Sequence, residues 1–240
     1  MIIWFREVFF VKKVAILQSN YIPWKGYFDM IRMVDEFILY DDMQYTRRDW
    51  RNRNKIKTAN GLQWLTIPVE SKGNFYQKIN ETKVSGHDWI DKHWHAITLN
   101  YAHAPAFKEY GPQIQEIYEK CRNEEYLSRI NYLFLTEICR MLGIATKITW
   151  SSDYQLVDGK TERLVGLVRD SGGTEYLSGP AAQDYIAEDC FRDAGIKLTW
   201  MDYSDYPEYP QLFGEFEHNV SILDLLFNMG DQAIQYMKPL

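Results

Sequence analysis

The sequence predicts an α/β protein with a doubly wound, Rossmann-like sheet of mostly parallel strands and a helical insertion. Two observations support this prediction. Short apolar runs rich in β-branched residues alternate with segments of helical periodicity near both ends of the chain. Between these halves lies a stretch of long helical patterns, residues 87–143. We therefore expect one α/β domain over residues 13–230, an N-terminal extension over residues 1–12 and a C-terminal tail over residues 231–240.

The first βαβ unit is expected directly after the extension. Residues 13–19 are short, β-branched and uncharged inside, which is typical of a buried parallel strand. Residues 27–34 place apolar side chains at helical spacing, and residues 36–42 form the next apolar run. Farther along, residues 62–70 alternate like a strand. The polar segment between residues 42 and 62 is expected to be a loop, and the helical insertion is expected over residues 87–143.

The C-terminal half repeats the same alternation. The predicted strands are residues 146–150, 175–177 and 196–203, and the predicted helices are residues 161–170, 182–194 and 221–230. Gly195 follows the predicted helix 182–194, and the last helix begins at Ser221 and closes at Gly230, as capping requires. Two βαβ halves predict a doubly wound sheet.

Composition restricts the class of protein. The 240 residues are 46% hydrophobic and 25% charged, so a packed globular chain is expected. A net charge of -6 argues against nucleic-acid binding, which needs a broad positive surface. The three cysteines are far apart and read as reduced thiols, and the N-terminus matches neither a signal peptide nor a membrane span. We expect a soluble cytoplasmic protein, and the sequence leaves its oligomeric state open.

One short segment concentrates positive charge. Residues 45–57, which we call the arginine island, surround the single acid Asp49 with six cations, namely Arg47, Arg48, Arg51, Arg53, Lys55 and Lys57. Arginine holds phosphate or carboxylate oxygens with paired hydrogen bonds, so the island predicts a site for one anionic group. The alternative is a solvated charged loop. Trp50 and three amides, Gln44, Asn52 and Asn54, interleave the charges and favour the binding site.

Other candidate ligand-binding residues follow the predicted strands. The carboxyl ends of parallel strands share one edge of a sheet, and ligands of doubly wound proteins bind there. Helix N-termini at that edge can also hold phosphate through their free N–H groups. The residues predicted to bind substrate or phosphate in these loops are Gln18, Asn20, Tyr21, Trp24, Gly26, Tyr27, Lys160, Thr161, Arg163, Ser178 and Gly179.

The acid–base candidates are His93, Asp29 and Asp42. A histidine changes its charge near neutral pH, which suits proton transfer. Asp41 and Asp42 end a predicted strand, where a carboxylate pair can hold Mg²⁺ on a diphosphate, but ion pairing with the nearby arginines is the favoured interpretation. The histidine spacing matches no closed zinc site, so no metal site is predicted.

Several motifs together resemble the WbqC-like family. They include QSNYIPWKGYFDMI at residues 18–31, DDMQYTRRDWRNRNKIK at residues 41–57, KTERL at residues 160–164 and YLSGPAAQDYI at residues 176–186. The resemblance implies a role in O-antigen or other surface-polysaccharide biosynthesis, for which glycyl or aminoacyl transfer to a sugar has been suggested. It also marks the arginine island and His93 as matching positions.

A weaker resemblance concerns the fold. The strand, PWKGY helix start, second strand and later SGP turn are similar to the nucleotidyltransferase-like superfamily that includes the pantothenate synthetases. Tyr27 stands where that superfamily has a histidine, which puts direct adenylate formation in doubt.

The leading hypothesis is a glycyl or other acyl transferase acting on a nucleotide-linked or lipid-linked sugar. Its small-molecule partners would be ATP or a nucleotide-sugar, with an acyl carrier as a further partner and Mg²⁺ less favoured. The alternatives are a sugar-nucleotide glycosyltransferase and a non-catalytic protein that binds an anionic glycan or partner.

Overall fold

The computed structural model describes residues 11–239, so most of the expected N-terminal extension and Leu240 lie outside the described range. The strands and helices follow in chain order as β1 (Lys13–Leu17), α1 (Lys25–Arg32), β2 (Glu36–Leu39), β3 (Arg53–Thr58), β4 (Gly61–Thr66), α2 (Asp88–Tyr101), α3 (Phe107–Lys120), α4 (Leu127–Met141), β5 (Lys147–Trp150), α5 (Thr161–Asp170), β6 (Glu175–Ser178), α6 (Glu188–Asp193), β7 (Lys197–Trp200) and α7 (Ile222–Met229).

Five parallel strands form the central sheet in the order β5-β2-β1-β6-β7. The chain starts in the middle at β1, moves outward through β2 to β5, and then returns to the other side of β1 for β6 and β7. The strand order therefore reverses between β1 and β6. This topology confirms the predicted Rossmann-like α/β fold and places the ligand crevice of such folds at the carboxyl ends of β1 and β6.

Alternating side chains of the central strands pack against two helical layers. Val14 and Ile16 of β1 face the cluster that contains Leu167 of α5 and Phe191 of α6. Ala15 lies in the other cluster, with side chains of α1 and α4. Both faces of the sheet are thus covered, which explains why β2 is buried along its whole length and why Phe37, Ile38 and Leu39 are all apolar.

The second half of the arginine island is a strand, where the sequence favoured a loop. Strand β3 pairs with β4 in an antiparallel hairpin, with Arg53 opposite Thr66. Its side chains alternate, so that Asn54 and Ile56 point into the protein while Arg53 and Lys55 are only partly buried. Ile56 is fully buried in the core shared with α1 and α4, which anchors the hairpin beside the main sheet.

The long helices between β4 and β5 are α2, α3 and α4, within the region where the insertion was expected. They belong to the same hydrophobic cluster as α1, with Ile97, Ile117 and Phe134 fully or almost fully buried. Within residues 11–239, no helix combines the length and apolar character needed to cross a membrane.

Candidate functional site

The loop after β1 and the arginine island meet at the carboxyl edge of the sheet. Arg51 donates from Nη2 to Gln18 Oε1 at 3.2 Å and from Nη1 to Asn20 Oδ1. The backbone N–H of Tyr21 donates to the carbonyl of Trp50 at 3.0 Å. Two of the predicted loops are therefore joined into one surface next to the reversal of strand order.

The same loop holds a strained backbone conformation. Ile22 has φ +41°, which a β-branched residue rarely adopts, and Arg48 in the island has φ +58°. Asn54 Nδ2 holds the strained turn by donating to the carbonyls of Tyr21 and Ile22 at 3.1 and 2.9 Å. Non-glycine residues in this region cost roughly 1–3 kcal/mol each and cluster at functional sites. The strained backbone therefore marks this loop as a candidate functional site, because the surrounding structure has to offset its conformational free energy.

A small cleft opens beside this loop. We call it the loop cleft; its volume is about 280 Å³ and its lining residues are Asn20, Pro23, Trp24, Trp50, Asn54 and Asn219. Three amides and two indoles offer hydrogen-bonding groups next to flat apolar surface, a combination typical of small-ligand sites. Gly26 is required here because a Cβ at that position would lie 2.4 Å from the Trp24 ring.

Two tryptophans form an exposed surface next to the loop cleft. Trp50 and Trp64 are 42% and 41% exposed, with ring centroids 5.5 Å apart. The Arg53 guanidinium lies 4.1 Å from the Trp64 centroid, and Lys55 Nζ lies 5.1 Å from it. We call these four residues the tryptophan platform. It combines cations with aromatic faces.

The cations of the platform have no acidic partner in the described part of the chain. The ion pair found within the island joins Arg51 to Asp49 at 3.7 Å, and Arg53 and Lys55 make none there. Arg53 Nη2 donates to the Arg48 carbonyl, while Arg53 Nε is buried without a partner among the described residues. The two cations of the platform therefore form no salt bridge with an acid of the described chain.

The carboxylates of Asp41 and Asp42 accept hydrogen bonds from donors within the protein. Asp41 is 1% exposed and accepts from the Ser19 backbone N–H at 2.7 Å and from the Ser128 hydroxyl. Its burial raises the pKa of the Asp41 carboxyl. Asp42 accepts from Ser151 Oγ at 2.5 Å and from Arg163 Nη1 at 3.1 Å. Both carboxylates already have protein donors, which does not fit a shared Mg²⁺ site. Residues 11–239 hold no cluster of three or more metal-ligating side chains.

His93 lies in the aromatic core and is 6% exposed. Its Nε2 faces the Thr66 carbonyl at 3.2 Å, which can only accept, so Nε2 carries the proton. Nδ1 then accepts from the Tyr21 hydroxyl at 2.9 Å, and Tyr21 in turn accepts from Tyr118 at 2.6 Å. Burial lowers the pKa of His93 to about 4. The imidazole is thus neutral at neutral pH, with both nitrogens engaged, and it holds Tyr21 of the loop after β1.

Asp29 is fully buried on α1, and its carboxylate holds the C-terminal tail through a hydrogen bond. It accepts from Arg32 Nε at 2.7 Å, from the Tyr206 hydroxyl at 2.6 Å and from the Lys238 backbone N–H at 3.1 Å. The structure therefore places this candidate base among structural partners, and it lines neither the loop cleft nor the tryptophan platform.

The other predicted residues are spread along the same edge. Tyr27 donates to the Gln18 carbonyl at 2.8 Å, and Asn52 donates to Ile67 at 2.8 Å. Exposed side chains include Arg47, which donates to the Ser71 carbonyl, and Gln44, which donates to Phe75. The Thr161 hydroxyl accepts from the Ala187 backbone N–H at 3.1 Å, and Lys160 is exposed. Ser178 is the last residue of β6, which pairs with β1, and Gly179 follows it.

Lys25, at the start of α1, lies in a cage of aromatic rings. Its Nζ is 4.8 Å from the Tyr206 centroid, 5.2 Å from Tyr209 and 5.8 Å from Phe216, and it donates to the Pro207 carbonyl at 3.0 Å. Burial lowers the pKa of Lys25 to about 8. The cage fastens the segment after β7 against the site.

Sequence reasoning missed a second, larger opening at this edge. This insertion cleft has a volume of about 860 Å³ and is lined by Asn80, Glu81, Lys83, Glu124, Tyr126, Ser128, Arg129, Tyr132, Leu133, Trp150 and Ser152. Its walls come from three segments far apart in the chain, so no contiguous motif could reveal it. Trp64 and Asn219 were also missed. Asn54 was recognised only as an amide between the cations, and the period-2 pattern of residues 53–58 was the available signal for its place in the loop cleft.

Comparisons with known proteins give a family. The sequence model described as the WbqC-like protein family matches residues 18–236. An uncharacterized protein of Mycobacterium tuberculosis is 54% identical over 228 residues, which cover 95% of this chain and 98% of that protein. No solved structure shows a significant match.

Proposed function

The chain belongs to the WbqC-like protein family, and we propose that it is a cytoplasmic transferase of surface-polysaccharide biosynthesis. It would transfer a glycyl or similar acyl group to a nucleotide-linked or lipid-linked sugar. The family's connection to polysaccharides supplies the biological setting for this proposal.

The observation that carries the proposal is the tryptophan platform beside the loop cleft. Arg53 and Lys55 present positive charge on exposed indole faces, in a chain whose net charge is -6. Guanidinium and ammonium groups bind phosphate oxygens, while indoles stack on nucleobase or sugar rings. A diphosphate attached to rings offers both features within one molecule. A nucleotide-linked sugar is therefore the ligand class that suits the platform best, and ATP shares part of that chemistry.

The hydrogen bonds made by the candidate bases indicate which kind of acceptor group the protein would use. Acyl transfer forms a bond between the acyl carbonyl carbon and an acceptor nitrogen or oxygen, and the bond to the acyl carrier breaks. A hydroxyl needs a base for this attack, whereas a free amine attacks with its own lone pair and loses its proton afterwards. Because His93, Asp29 and Asp42 are all engaged by protein groups, an amino sugar is the favoured acceptor. Catalysis would then rest on positioning and charge stabilisation.

A second candidate function is a non-catalytic binder of an anionic glycan or partner protein. The specific observation in its favour is the same engagement of every candidate base. A metal-dependent glycosyltransferase has less support, because the oxygens of Asp41 and Asp42 accept from serines, a backbone N–H and an arginine.

The test measures ligand binding and then turnover. Isothermal calorimetry and thermal shift with UDP-sugars, ATP and inorganic phosphate would compare wild type with Arg53→Ala, Trp64→Ala and the control Arg140→Ala. Arg140 is exposed and lies at the far end of α4, where it pairs with Glu137 at 3.0 Å. A bound ligand stabilises the folded state by mass action.

We expect a sugar nucleotide to bind wild type and Arg140→Ala equally, and Arg53→Ala about tenfold more weakly, a loss of about 1.4 kcal/mol. Mass spectrometry of an amino-sugar nucleotide incubated with glycyl donors would then show the added acyl mass. Binding without turnover favours the non-catalytic candidate. Absence of binding by all three ligands contradicts the nucleotide-dependent proposal.

A further inference from the structure

The insertion cleft lies on the same edge of the sheet as the loop cleft but shares no lining residue with it. It opens where β5 ends at Trp150, and the first turns of α4 form one wall. The turn Ile79–Glu81 forms another wall and is fixed to the end of β2, because the Asn80 backbone N–H donates to the Asp41 carbonyl at 2.9 Å. Rigid elements therefore shape this opening on three sides.

Aromatic side chains supply the flat surfaces of the insertion cleft. The rings of Tyr132 and Trp150 are 5.3 Å apart and tilted by 33°, so they form one continuous wall. Tyr126 lines the same cleft, with the Arg129 guanidinium 5.5 Å from its ring. Such rings pack against the C–H faces of a sugar, while their polar tips remain available for hydrogen bonds.

The polar lining is balanced in charge. Glu81 and Glu124 contribute two acids, and Lys83 and Arg129 contribute two bases. Asn80 Oδ1 is buried and has no hydrogen-bond partner among the described residues. A ring of hydroxyls, each of which donates and accepts, satisfies such mixed groups better than an anion or an apolar ligand would. The lining therefore differs in kind from the cationic tryptophan platform.

Buried hydrogen bonds connect the insertion cleft with the loop after β1. Ser128 at the cleft donates to Asp41, whose other oxygen accepts from the Ser19 backbone at 2.7 Å. Asn131 donates from Nδ2 to Ser19 Oγ at 3.0 Å and to the Arg51 carbonyl at 2.9 Å. Arg51 in turn holds the loop cleft residue Asn20. The two clefts thus share one rigid framework.

We propose that the insertion cleft is a carbohydrate-binding site that takes a neutral sugar or amino sugar without its nucleotide. A role of this cleft in holding the sugar of a lipid-linked acceptor rests on the proposed function, but sugar binding does not. The cleft volume of about 860 Å³ lies within the range of roughly 300–1,000 Å³ found for ligand pockets.

The test uses methyl glycosides of glucose, galactose, mannose, glucosamine and N-acetylglucosamine with the full chain. Saturation-transfer NMR detects binding, and calorimetry gives dissociation constants for wild type, Tyr132→Ala and Glu81→Gln. Glu81 is exposed and accepts the Lys78 N–H at 3.0 Å, a bond that a glutamine can keep, so this variant should fold even if Tyr132→Ala does not. Arg140→Ala is the control on the same helix as Tyr132.

We expect at least one glycoside to bind and both cleft variants to weaken it about tenfold, while Arg140→Ala and Arg53→Ala bind as wild type does. No binding by any glycoside, or equal binding by the cleft variants, overturns the proposal. If the wild type binds a glycoside but no nucleotide, the result contradicts the proposed function alone. If the wild type binds a nucleotide but no glycoside, the result contradicts the carbohydrate site alone.

Discussion

Replacing His93 with glutamine tests whether this histidine transfers protons or supports the site from the core. The imidazole is 6% exposed, donates to the Thr66 carbonyl and accepts from the Tyr21 hydroxyl. A glutamine amide can replace one of these hydrogen bonds but cannot match both positions. At pH 7 we therefore expect His93→Gln to lower the free energy of unfolding by roughly 1–3 kcal/mol, the cost of leaving a buried polar group unsatisfied.

The pH dependence of the free energy of unfolding provides a more specific test of His93. Burial lowers the pKa of folded His93 to about 4 from its ordinary value of 6.5. Between these values the unfolded chain binds a proton that the folded chain does not, so stability falls as the pH falls from 6.5 and levels off below 4. The full difference corresponds to about 3 kcal/mol. His93→Gln lacks this titration, so between pH 7 and pH 4 the stability difference should move by about that amount in favour of the variant, which removes or reverses the advantage of the wild type.

Urea unfolding followed by tryptophan fluorescence at several pH values between 7 and 4 measures this difference. The control is His95→Gln, two residues along the same helix at an exposed position, which should leave the free energy of unfolding at pH 7 unchanged. Identical pH slopes for wild type and His93→Gln would refute the buried neutral imidazole. A His93→Gln variant of wild-type stability that binds ligand but transfers no acyl group would instead show a role in proton transfer.

Three further outcomes are expected. Lysines and hydroxyls around Glu36 lower its pKa to about 2, so Glu36→Gln should destabilise the protein at pH 7, and the contribution of Glu36 should fade as the pH falls from 4.5 towards 2; urea unfolding at pH 7 and pH 3 checks both. Asn54→Ala leaves two buried carbonyls without donors and should cost roughly 2–5 kcal/mol, visible as a lower unfolding midpoint and faster hydrogen exchange in the loop after β1; unchanged exchange there would argue against its bracing role. Burial raises the pKa of Cys121 and Cys139 to about 12, so a thiol reagent at pH 8 should label half-buried Cys190 first; prior labelling of either buried thiol would contradict the packing.

Much of the fold could be predicted because its signals are local. Short apolar runs such as Phe37–Leu39 of β2, and periodic apolar residues such as those of α4, depend on neighbours a few positions away. Because the carboxyl ends of parallel strands share an edge, the sequence also predicts that the loop after β1 and the arginine island lie together. Arg51 does contact Gln18 and Asn20 at that edge.

The roles of individual side chains within that edge could not be read in the same way. Asp29 and His93 have the chemistry of a base, but their burial and partners depend on remote segments. Asp29 binds the backbone of Lys238, 209 positions away, and the His93 ring contacts Tyr21, 72 positions away. A sequence shows which groups can titrate, and only packing decides whether they meet solvent.

The sequence by itself determined the α/β class, the family and the concentration of polar loops at one sheet edge, because short-range periodicity and ordered motifs encode them. Only the tertiary structure decided the strand order, the pairing of Asp41 and Asp42 with internal donors, and the insertion cleft. Each of these depends on contacts between segments that lie far apart along the chain, whose free energies come from burial and hydrogen bonding in three dimensions.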